Sequence, residues 1–111
     1  MWVVVYLPEA ECERDQLPAN ERVALHNAVV KLEGFGPALG YLHTSAVKGV
    51  AKLRELRPRA GRSPWRRLYR QFGDTMVIAA VSPEALQDPR GFKRACGSAA
   101  RRLKELEEGM R

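Results

Sequence analysis

Basic residues crowd one short stretch of this 111-residue chain, the segment that runs from Lys48 to Tyr69. Guanidinium groups placed this close repel one another unless an anion lies across them. Phosphate is the natural counter-charge, because the planar fork of arginine matches its oxygens and Trp65 or Tyr69 can stack on a base. The segment and the residue after it hold nine of the nineteen basic residues: Lys48, Lys52, Arg54, Arg57, Arg59, Arg62, Arg66, Arg67 and Arg70.

Two strands must position these side chains. Residues 52–57 and 65–72 have strand character, and the intervening RPRAGRSP, with two prolines and a glycine, favours a solvated loop. Because side chains alternate between the faces of a strand, Glu55 and Arg57 share one face. A second interpretation stays open, in which these charges only keep a hairpin soluble and prevent its edges from aggregating.

The charge of the whole chain also indicates an anionic partner. The formal net charge is +6 and the isoelectric point is about 9.8, which indicates nucleic acid first, an acidic protein second and a membrane surface third. The length fits a single domain over residues 1–111. No segment reaches transmembrane length, and the apolar N-terminal run lacks the basic leader of a signal peptide, so we expect a cytoplasmic protein without a membrane partner.

Residues that commonly build metal or catalytic sites lack partners at a diagnostic spacing. Cys12 and Cys96 stand far apart without a second pair, so we interpret both as small buried hydrophobes. His26 is expected in a helix, and His43 in a loop where it can at most touch phosphate. The chain has no phosphate-binding loop, dinucleotide-binding motif or nucleophile elbow, and we expect no metal and no cofactor.

Hydrophobic periodicity predicts the element order β-α-α-β-β-β-α. Residues 2–7 form a β-branched strand and residues 9–16 a short helix, and a second helix begins near Asn20 as its cap. Residues 38–51 read as irregular. The run 75–81 predicts a central strand buried on both faces, paired with the preceding strand through a turn at Gly73-Asp74.

The last element is a helix that begins at Asp88-Pro89 and runs to about Glu107. Arg90 and Lys93, in its first turn, can add to an anion site through their charge and the helix dipole. The expected fold class is α+β, with a small antiparallel sheet packed against an N-terminal helical hairpin and the C-terminal helix. An apolar stripe of this helix should face the core: Phe92, Ala95, Cys96, Ala99, Leu103 and Leu106.

The order and spacing of these segments resemble the RelE/HigB/ParE toxin superfamily, in particular its phage-derived HigB-like (Gp49-like) branch. The resemblance covers nearly the whole chain and rests on KLEGFGPALG, LRELRP, WRRLY, GDTMVIAAV and DPRGFKRACGSAARRL. It implies a microbial-ribonuclease-type fold and the toxin of a type II toxin–antitoxin system. RelE and HigB relatives cut messenger RNA on the ribosome, whereas ParE relatives poison DNA gyrase. The implied partners are a cognate helix-turn-helix HigA-like antitoxin, messenger RNA and the ribosome.

The resemblance also implies roles for individual residues. Arg57 stands where these toxins have a basic residue at the end of the first central strand, and Arg66 where they place the arginine that leans on the scissile phosphate. Glu55 matches the glutamate of the family's L-x-E-L-R motif. Tyr69 matches the closing tyrosine of the second strand, in a catalytic or a structural role.

Two positions depart from the superfamily. Its ribonucleases often have a basic residue just after the last strand and a tyrosine or histidine near the C-terminal helix, where this chain has Glu84 and Phe92. Glu84 has the wrong charge for phosphate, and Phe92 has no proton to exchange. Three functions therefore stay open: a messenger-RNA endoribonuclease, a non-enzymatic inhibitor such as a gyrase poison, and an RNA-binding module that has lost catalysis.

If the chain is a ribonuclease, no metal is required, since the 2′-hydroxyl of the RNA attacks the adjacent phosphorus. Arg57 and Arg66 would stabilise the negative charge of the transition state. Arginine stays protonated and is a poor base, which leaves Glu55 as the nearest candidate base. The remaining basic residues would follow the RNA backbone: Lys48, Lys52, Arg54, Arg59, Arg62, Arg67, Arg70, Arg90 and Lys93.

Overall fold

A computed structural model describes residues Met1 to Met110 and has a five-stranded sheet with helices on both faces. The sheet has the strand order β1-β5-β4-β3-β2. The elements are β1 (Val3–Tyr6), α1 (Pro8–Asp15), α2 (Ala19–Phe35), β2 (Thr44–Ala46), β3 (Arg54–Leu56), β4 (Trp65–Phe72), β5 (Thr75–Pro83) and α3 (Pro89–Gly109), with short 3₁₀ turns at Gly36–Ala38 and Pro58–Gly61. This architecture confirms the predicted α+β class.

The centre of the sheet is the β4–β5 hairpin. Gly73 has a φ of +61°, a left-handed conformation that glycine adopts without strain, and the tight turn there makes the two strands antiparallel. β1 pairs with the other side of β5 in parallel, so β5 is flanked by strands on both sides. The predicted pairing of residues 65–72 with 75–81, and the predicted central position of the latter, are confirmed.

Two hydrophobic cores lie on opposite faces of the sheet, and β5 contributes to both because its side chains alternate. The first core packs the sheet against α1 and α2 and contains Ala10, Leu25, Ala28, Leu32, Leu39, Leu56, Tyr69, Met76 and Ile78. The second packs the sheet against α3 and contains Val47, Leu53, Leu68, Val77, Ala79, Ala80, Cys96, Ala99 and Leu103.

Helix α3 begins as the sequence predicts. The Asp88 carboxylate accepts a hydrogen bond of 2.9 Å from the Gly91 amide, and Pro89 occupies the first turn, where its missing N–H costs nothing. The predicted apolar stripe faces the second core. Within residues 1–110, no helix is both long enough and apolar enough to cross a bilayer.

Four local predictions need correction. Residues 44–46 lie in the stretch predicted to be irregular, but they form β2. Their polar sequence becomes a strand only by pairing with β3. β3 is shorter than residues 52–57, since Lys52 has a φ of +64° and cannot continue a strand. Asn20 is not the cap of α2: the helix begins one residue earlier, and the Pro18 carbonyl accepts from the Glu21 amide. Cys12 is exposed on α1, whereas Cys96 is buried as expected.

Candidate functional site

Three of the predicted site residues come together where β3 and β4 lie side by side. The Oε1 atom of Glu55 accepts a hydrogen bond of 3.1 Å from Arg57 Nη1 and lies 3.5 Å from Arg66 Nε. We call Glu55, Arg57 and Arg66 the Glu55 cluster. Alternation along β3 gives Glu55 and Arg57 one face, and the antiparallel pairing with β4 brings Arg66 to the same place.

Arg66 is the buried member of the cluster, with 2% of its surface exposed. Its guanidinium donates to the carbonyls of Ser63 at 2.6 Å, Trp65 at 2.9 Å and Gly61 at 3.1 Å. Burial, together with the charge of Arg57, lowers the pKa of Arg66 below its ordinary value, and the nearby carboxylates only partly oppose this. Arg66 therefore contacts both the loop between β3 and β4, through hydrogen bonds, and Glu55, through an ion pair.

Arg57 is the accessible member, with 21% of its side chain exposed. Its Cζ atom lies 5.5 Å from the centre of the Tyr41 ring, within the range of a cation–π contact. A Cβ atom at Gly61 would lie 2.8 Å from Arg57 Nη2, and Gly61 has a φ of +91°, so glycine is required beside this guanidinium. Arg57 is thus fixed in place and still able to meet an anion from solvent.

The buried carboxylate of Glu21 in α2 fixes the loop between β3 and β4. Glu21 Oε1 accepts a hydrogen bond of 2.7 Å from the Ser63 hydroxyl, and Glu21 Oε2 accepts one of 2.7 Å from Arg59 Nη1. We call Glu21, Arg59 and Ser63 the Glu21 latch. Burial by itself would raise the pKa of Glu21, but the hydrogen bonds from Ser63 and Arg59 outweigh it and hold that pKa below its ordinary value.

The loop that the latch holds contains backbone strain. Arg59 and Ala60 have φ values of +55° and +54°, a left-handed conformation that side chains other than glycine rarely adopt. Such a conformation persists only where surrounding contacts enforce it. Arg59 makes these contacts through Glu21 and through a hydrogen bond of 3.2 Å to the Asn20 carbonyl. The latch therefore helps to fix the loop carbonyls that accept hydrogen bonds from Arg66.

Arg67 and Tyr69 lie on the opposite face of the sheet, towards α1 and α2. Arg67 is 1% exposed, and burial lowers its pKa to about 10 despite the nearby hydroxyl of Tyr6 and carboxylate of Glu21. The sequence analysis places Arg67 among the RNA contacts, but the structure buries its side chain and does not present it to RNA. Tyr69 is buried in the first core, 2.6 Å from Thr44 Oγ1, and is separated from the Glu55 cluster by the sheet. Its position indicates a structural role.

The other predicted RNA contacts divide by exposure. Arg70 is partly buried against α3, where its Nη2 donates to Glu107 at 2.6 Å, and Arg54 lies 3.4 Å from Thr44 Oγ1. The exposed members are Lys48, Lys52, Arg59, Arg62, Arg90 and Lys93. The basic stretch is consequently spread over both faces and the loops, and it does not form one continuous surface.

The two positions that depart from the toxin superfamily lie at the end of β5 and on α3. The negative charge of Glu84 acts on Arg66, and Glu84 Oε1 also accepts from the Leu86 amide at 2.9 Å. Phe92 is half-buried against the second core. Cys96 lies on the same side, in the second core, and burial and the charge of Glu55 both raise the pKa of its thiol. The cluster is thus flanked by a carboxylate and by apolar groups of α3.

The sequence interpretation missed the Glu21 latch. Its one local signal is an acid on the otherwise apolar stripe of α2, one turn before Leu25. Its partner Ser63 lies 42 residues further along the chain, and no local pattern connects them. Chemically, the assembled site offers one accessible guanidinium, one carboxylate that can accept a proton, and a buried guanidinium behind both.

Comparison with known proteins agrees with this description. The model of the phage derived protein Gp49-like (DUF891) family matches residues 13–81, more than half of the chain. No curated protein sequence matches the chain.

Solved structures with a similar fold include toxins and toxin–antitoxin complexes. The free-state double mutant of the Escherichia coli toxin RelE superposes with a TM-score of 0.67 at 15% identity, covering 92% of this chain and 97% of that one. The Mycobacterium tuberculosis RelBE2 toxin–antitoxin complex gives 0.59 at 20% identity, covering 75% and 98%. The intact E. coli RelBE toxin–antitoxin complex gives 0.60 at 14% identity, covering 76% and 98%. The chain therefore belongs to the phage derived protein Gp49-like family and has the fold of RelE toxins.

Proposed function

We propose that this protein is the toxin of a type II toxin–antitoxin pair and that it cleaves messenger RNA on the ribosome. The observation that carries the proposal is the Glu55 cluster, an accessible arginine and a carboxylate placed side by side on the fold of RelE toxins. The net charge of +6 favours a polyanionic substrate. The resulting arrest of translation would stop growth.

Arg57 is the residue that meets the scissile phosphate. It is the exposed arginine of the cluster, and its fork can bind two phosphate oxygens at once. When the phosphorus becomes pentacoordinate, the oxygens gain negative charge, and a guanidinium already in position stabilises that charge without reorganisation.

Glu55 is the residue that accepts the proton. The 2′-oxygen of the RNA forms a bond to phosphorus, the bond from phosphorus to the 5′-oxygen breaks, and Glu55 takes the proton of the 2′-hydroxyl. The leaving 5′-oxygen takes a proton from water, since Phe92 has none to give. The products are a 2′,3′-cyclic phosphate and a 5′-hydroxyl.

Arg66 acts as a positioning residue. Its Nη1 and Nη2 donate to three loop carbonyls, its Nε forms an ion pair with Glu55 at 3.5 Å, and solvent hardly reaches it. It orients the Glu55 carboxylate and adds a buried positive charge behind the phosphate site. This role differs from the direct contact with the scissile phosphate that the resemblance to the toxin superfamily implies for Arg66.

The partners in this proposal are a ribosome carrying messenger RNA and an antitoxin, in the cytoplasm. The solved M. tuberculosis and E. coli relatives are toxin–antitoxin complexes, which supports an antitoxin for this chain, and we propose one of the helix-turn-helix HigA-like type. The exposed basic residues Lys48, Lys52 and Arg62 would follow the backbone of messenger or ribosomal RNA.

Induced expression followed by mapping of messenger-RNA 5′ ends tests the function. We expect growth arrest and new 5′ ends within coding regions for the wild type and for an Arg101→Ala control on the outer face of α3. Arg57→Ala should abolish both effects while the protein still accumulates. Arrest with intact messenger RNA and a DNA-damage response would contradict the proposal and favour a gyrase poison.

One observation favours a second function, RNA binding without cleavage. Glu84 places a further negative charge near Arg66, and Phe92 cannot exchange a proton. A module of this kind would bind RNA in a salt-dependent way and leave it intact even on translating ribosomes. Incubating the purified protein with programmed ribosomes distinguishes the two functions, because only the first produces cut messenger RNA.

A further inference from the structure

A groove lies between α2, the end of β3 and the loop at His43, and it shares Arg57 with the Glu55 cluster. Its volume is about 320 Å³, at the lower end of the range for ligand sites. Leu56 and two alanines of α2 line its apolar part. Its polar lining consists of Asn20, Asn27, Lys31, His43, Arg57 and Arg59.

Over the residues that the structure describes, the charged side chains that line this groove are all cations, and two of them are paired with carboxylates that lie outside the lining. Lys31, Arg57 and Arg59 line it, and no carboxylate does. The Glu21 latch fixes Arg59 through a hydrogen bond of 2.7 Å, and Glu55 fixes Arg57 through one of 3.1 Å. Two of the three cations are therefore held in place before any ligand arrives, which lowers the entropy cost of binding an anion.

The neutral lining supplies a second kind of recognition. Asn20 and Asn27 are seven residues apart, two turns of α2, so both amides lie on the same side of the helix. Each amide offers donors and an acceptor, and the His43 imidazole adds another polar group. The exposed side chain of Val23, which also lines the groove, suits the flat face of a ring. Phosphate-binding cations combined with amides and an apolar surface match a nucleotide better than a bare anion.

We propose that this groove binds one nucleotide of the RNA strand, next to the nucleotide whose phosphate is cleaved. The inference rests on the proposed function and extends it, since Arg57 belongs both to the groove and to the Glu55 cluster. The groove lies on the α2 face of the sheet, and a strand whose scissile phosphate lies at Arg57 would enter it around the end of β3, where Arg57 joins the two sites. There, Lys31 neutralises the neighbouring phosphate, and Asn27 with His43 contacts the base.

Titration of the purified protein with nucleoside 3′-monophosphates, followed by NMR, tests the groove without any cleavage. We expect shifts of the signals of Asn27, Lys31 and His43. Asn27→Ala and Lys31→Ala should each weaken nucleotide binding about tenfold, and Arg101→Ala should not change it. If inorganic phosphate shifts the same signals equally at the same concentrations, or an acidic peptide shifts them more strongly, the groove does not recognise a nucleotide.

A cleavage assay on ribosomes separates the two proposals. If the groove positions RNA, Asn27→Ala raises KM and changes the base preferred beside the cut, with kcat nearly unchanged. Unchanged KM and base preference would overturn the groove proposal while cleavage itself stands. Nucleotide binding in the groove by a protein that cuts no RNA would overturn the ribonuclease and leave the groove as a nucleotide site.

Discussion

Glu55 Oε1 lies 3.5 Å from Arg66 Nε, so a carboxylate at the edge of solvent is held against an arginine whose side chain is 3% exposed. A buried charge of this kind is tolerable only when hydrogen bonds compensate for its desolvation, and three loop carbonyls accept from Arg66 Nη1 and Nη2 here, whereas Nε has only the ion pair with Glu55. The same oxygen of Glu55 also accepts from Arg57. One carboxylate therefore connects the structural arginine to the arginine that faces solvent.

Glu55→Gln should lower the rate of RNA cleavage by roughly 10²–10⁴-fold, because the amide keeps the hydrogen bond from Arg57 but cannot accept a proton. RNA affinity should stay the same or rise, since a negative charge is removed. The measurement is single-turnover cleavage of ribosome-bound messenger RNA beside a binding titration. A variant that cuts at the parent rate would remove Glu55 from the chemistry.

Glu21→Gln should lower the free energy of unfolding at pH 7 by about 2 kcal/mol, because the carboxylate loses its charge-assisted bond with Arg59. The pKa of Glu21 in the folded protein lies below its ordinary value of 4.5. The stability from this carboxylate is therefore fully present above pH 4.5 and is lost as the pH falls through the folded pKa.

Urea unfolding of wild type and Glu21→Gln across this range tests the latch. The difference between their free energies of unfolding should shrink as the pH falls below about 4.5. Asp15→Asn, which removes an exposed acid of α1, is the control and should show little difference at any pH. A constant gap between wild type and Glu21→Gln from neutral to acid pH would mean that the charge of Glu21 contributes nothing.

Arg67→Met should change the free energy of unfolding by less than about 1 kcal/mol or should raise it. Arg67 Nε and Nη1 have no hydrogen-bond acceptor among residues 1–110, and burying them is costly. Methionine fills similar space without that cost. RNA affinity should be unchanged, because the guanidinium does not reach the surface. Thermal unfolding and a filter-binding assay measure both, and a loss of RNA affinity in a fully folded variant would contradict this assignment.

Glu84→Gln should strengthen RNA binding about fivefold at low salt, with a smaller gain at higher salt. The charge near Arg66 disappears, while the amide oxygen can still accept from the Leu86 amide. Affinities measured at several salt concentrations test this. An equal or weaker affinity in low salt would show that Glu84 does not oppose RNA at this site.

Local sequence patterns were sufficient to predict the central elements of the fold. The apolar run of β5, the Gly73-Asp74 turn and the stripe of α3 each follow from spacing alone, and alternation along β3 correctly placed Glu55 beside Arg57. The approach of Arg66 to Glu55 required only that the two strands pair in register. These features depend on neighbours in sequence or on one hairpin.

The remaining features depend on contacts between distant segments. Arg67 is a surface residue by composition, and its burial arises from packing of the first core over β4. β2 exists because β3 offers it hydrogen bonds, since its own three residues carry no strand signal. The Glu21 latch joins α2 to a loop 42 residues away. No periodicity or local propensity contains that information.

The most direct test of the account is the single-turnover rate at which the purified protein cuts messenger RNA in the ribosomal decoding site, compared with its Arg57→Ala variant. The proposed role of Arg57 requires that the wild type cuts and that the variant, folded and still bound to ribosomes, cuts about 10²–10³-fold more slowly. Equal rates for the two proteins, or no cutting by the wild type, would contradict it.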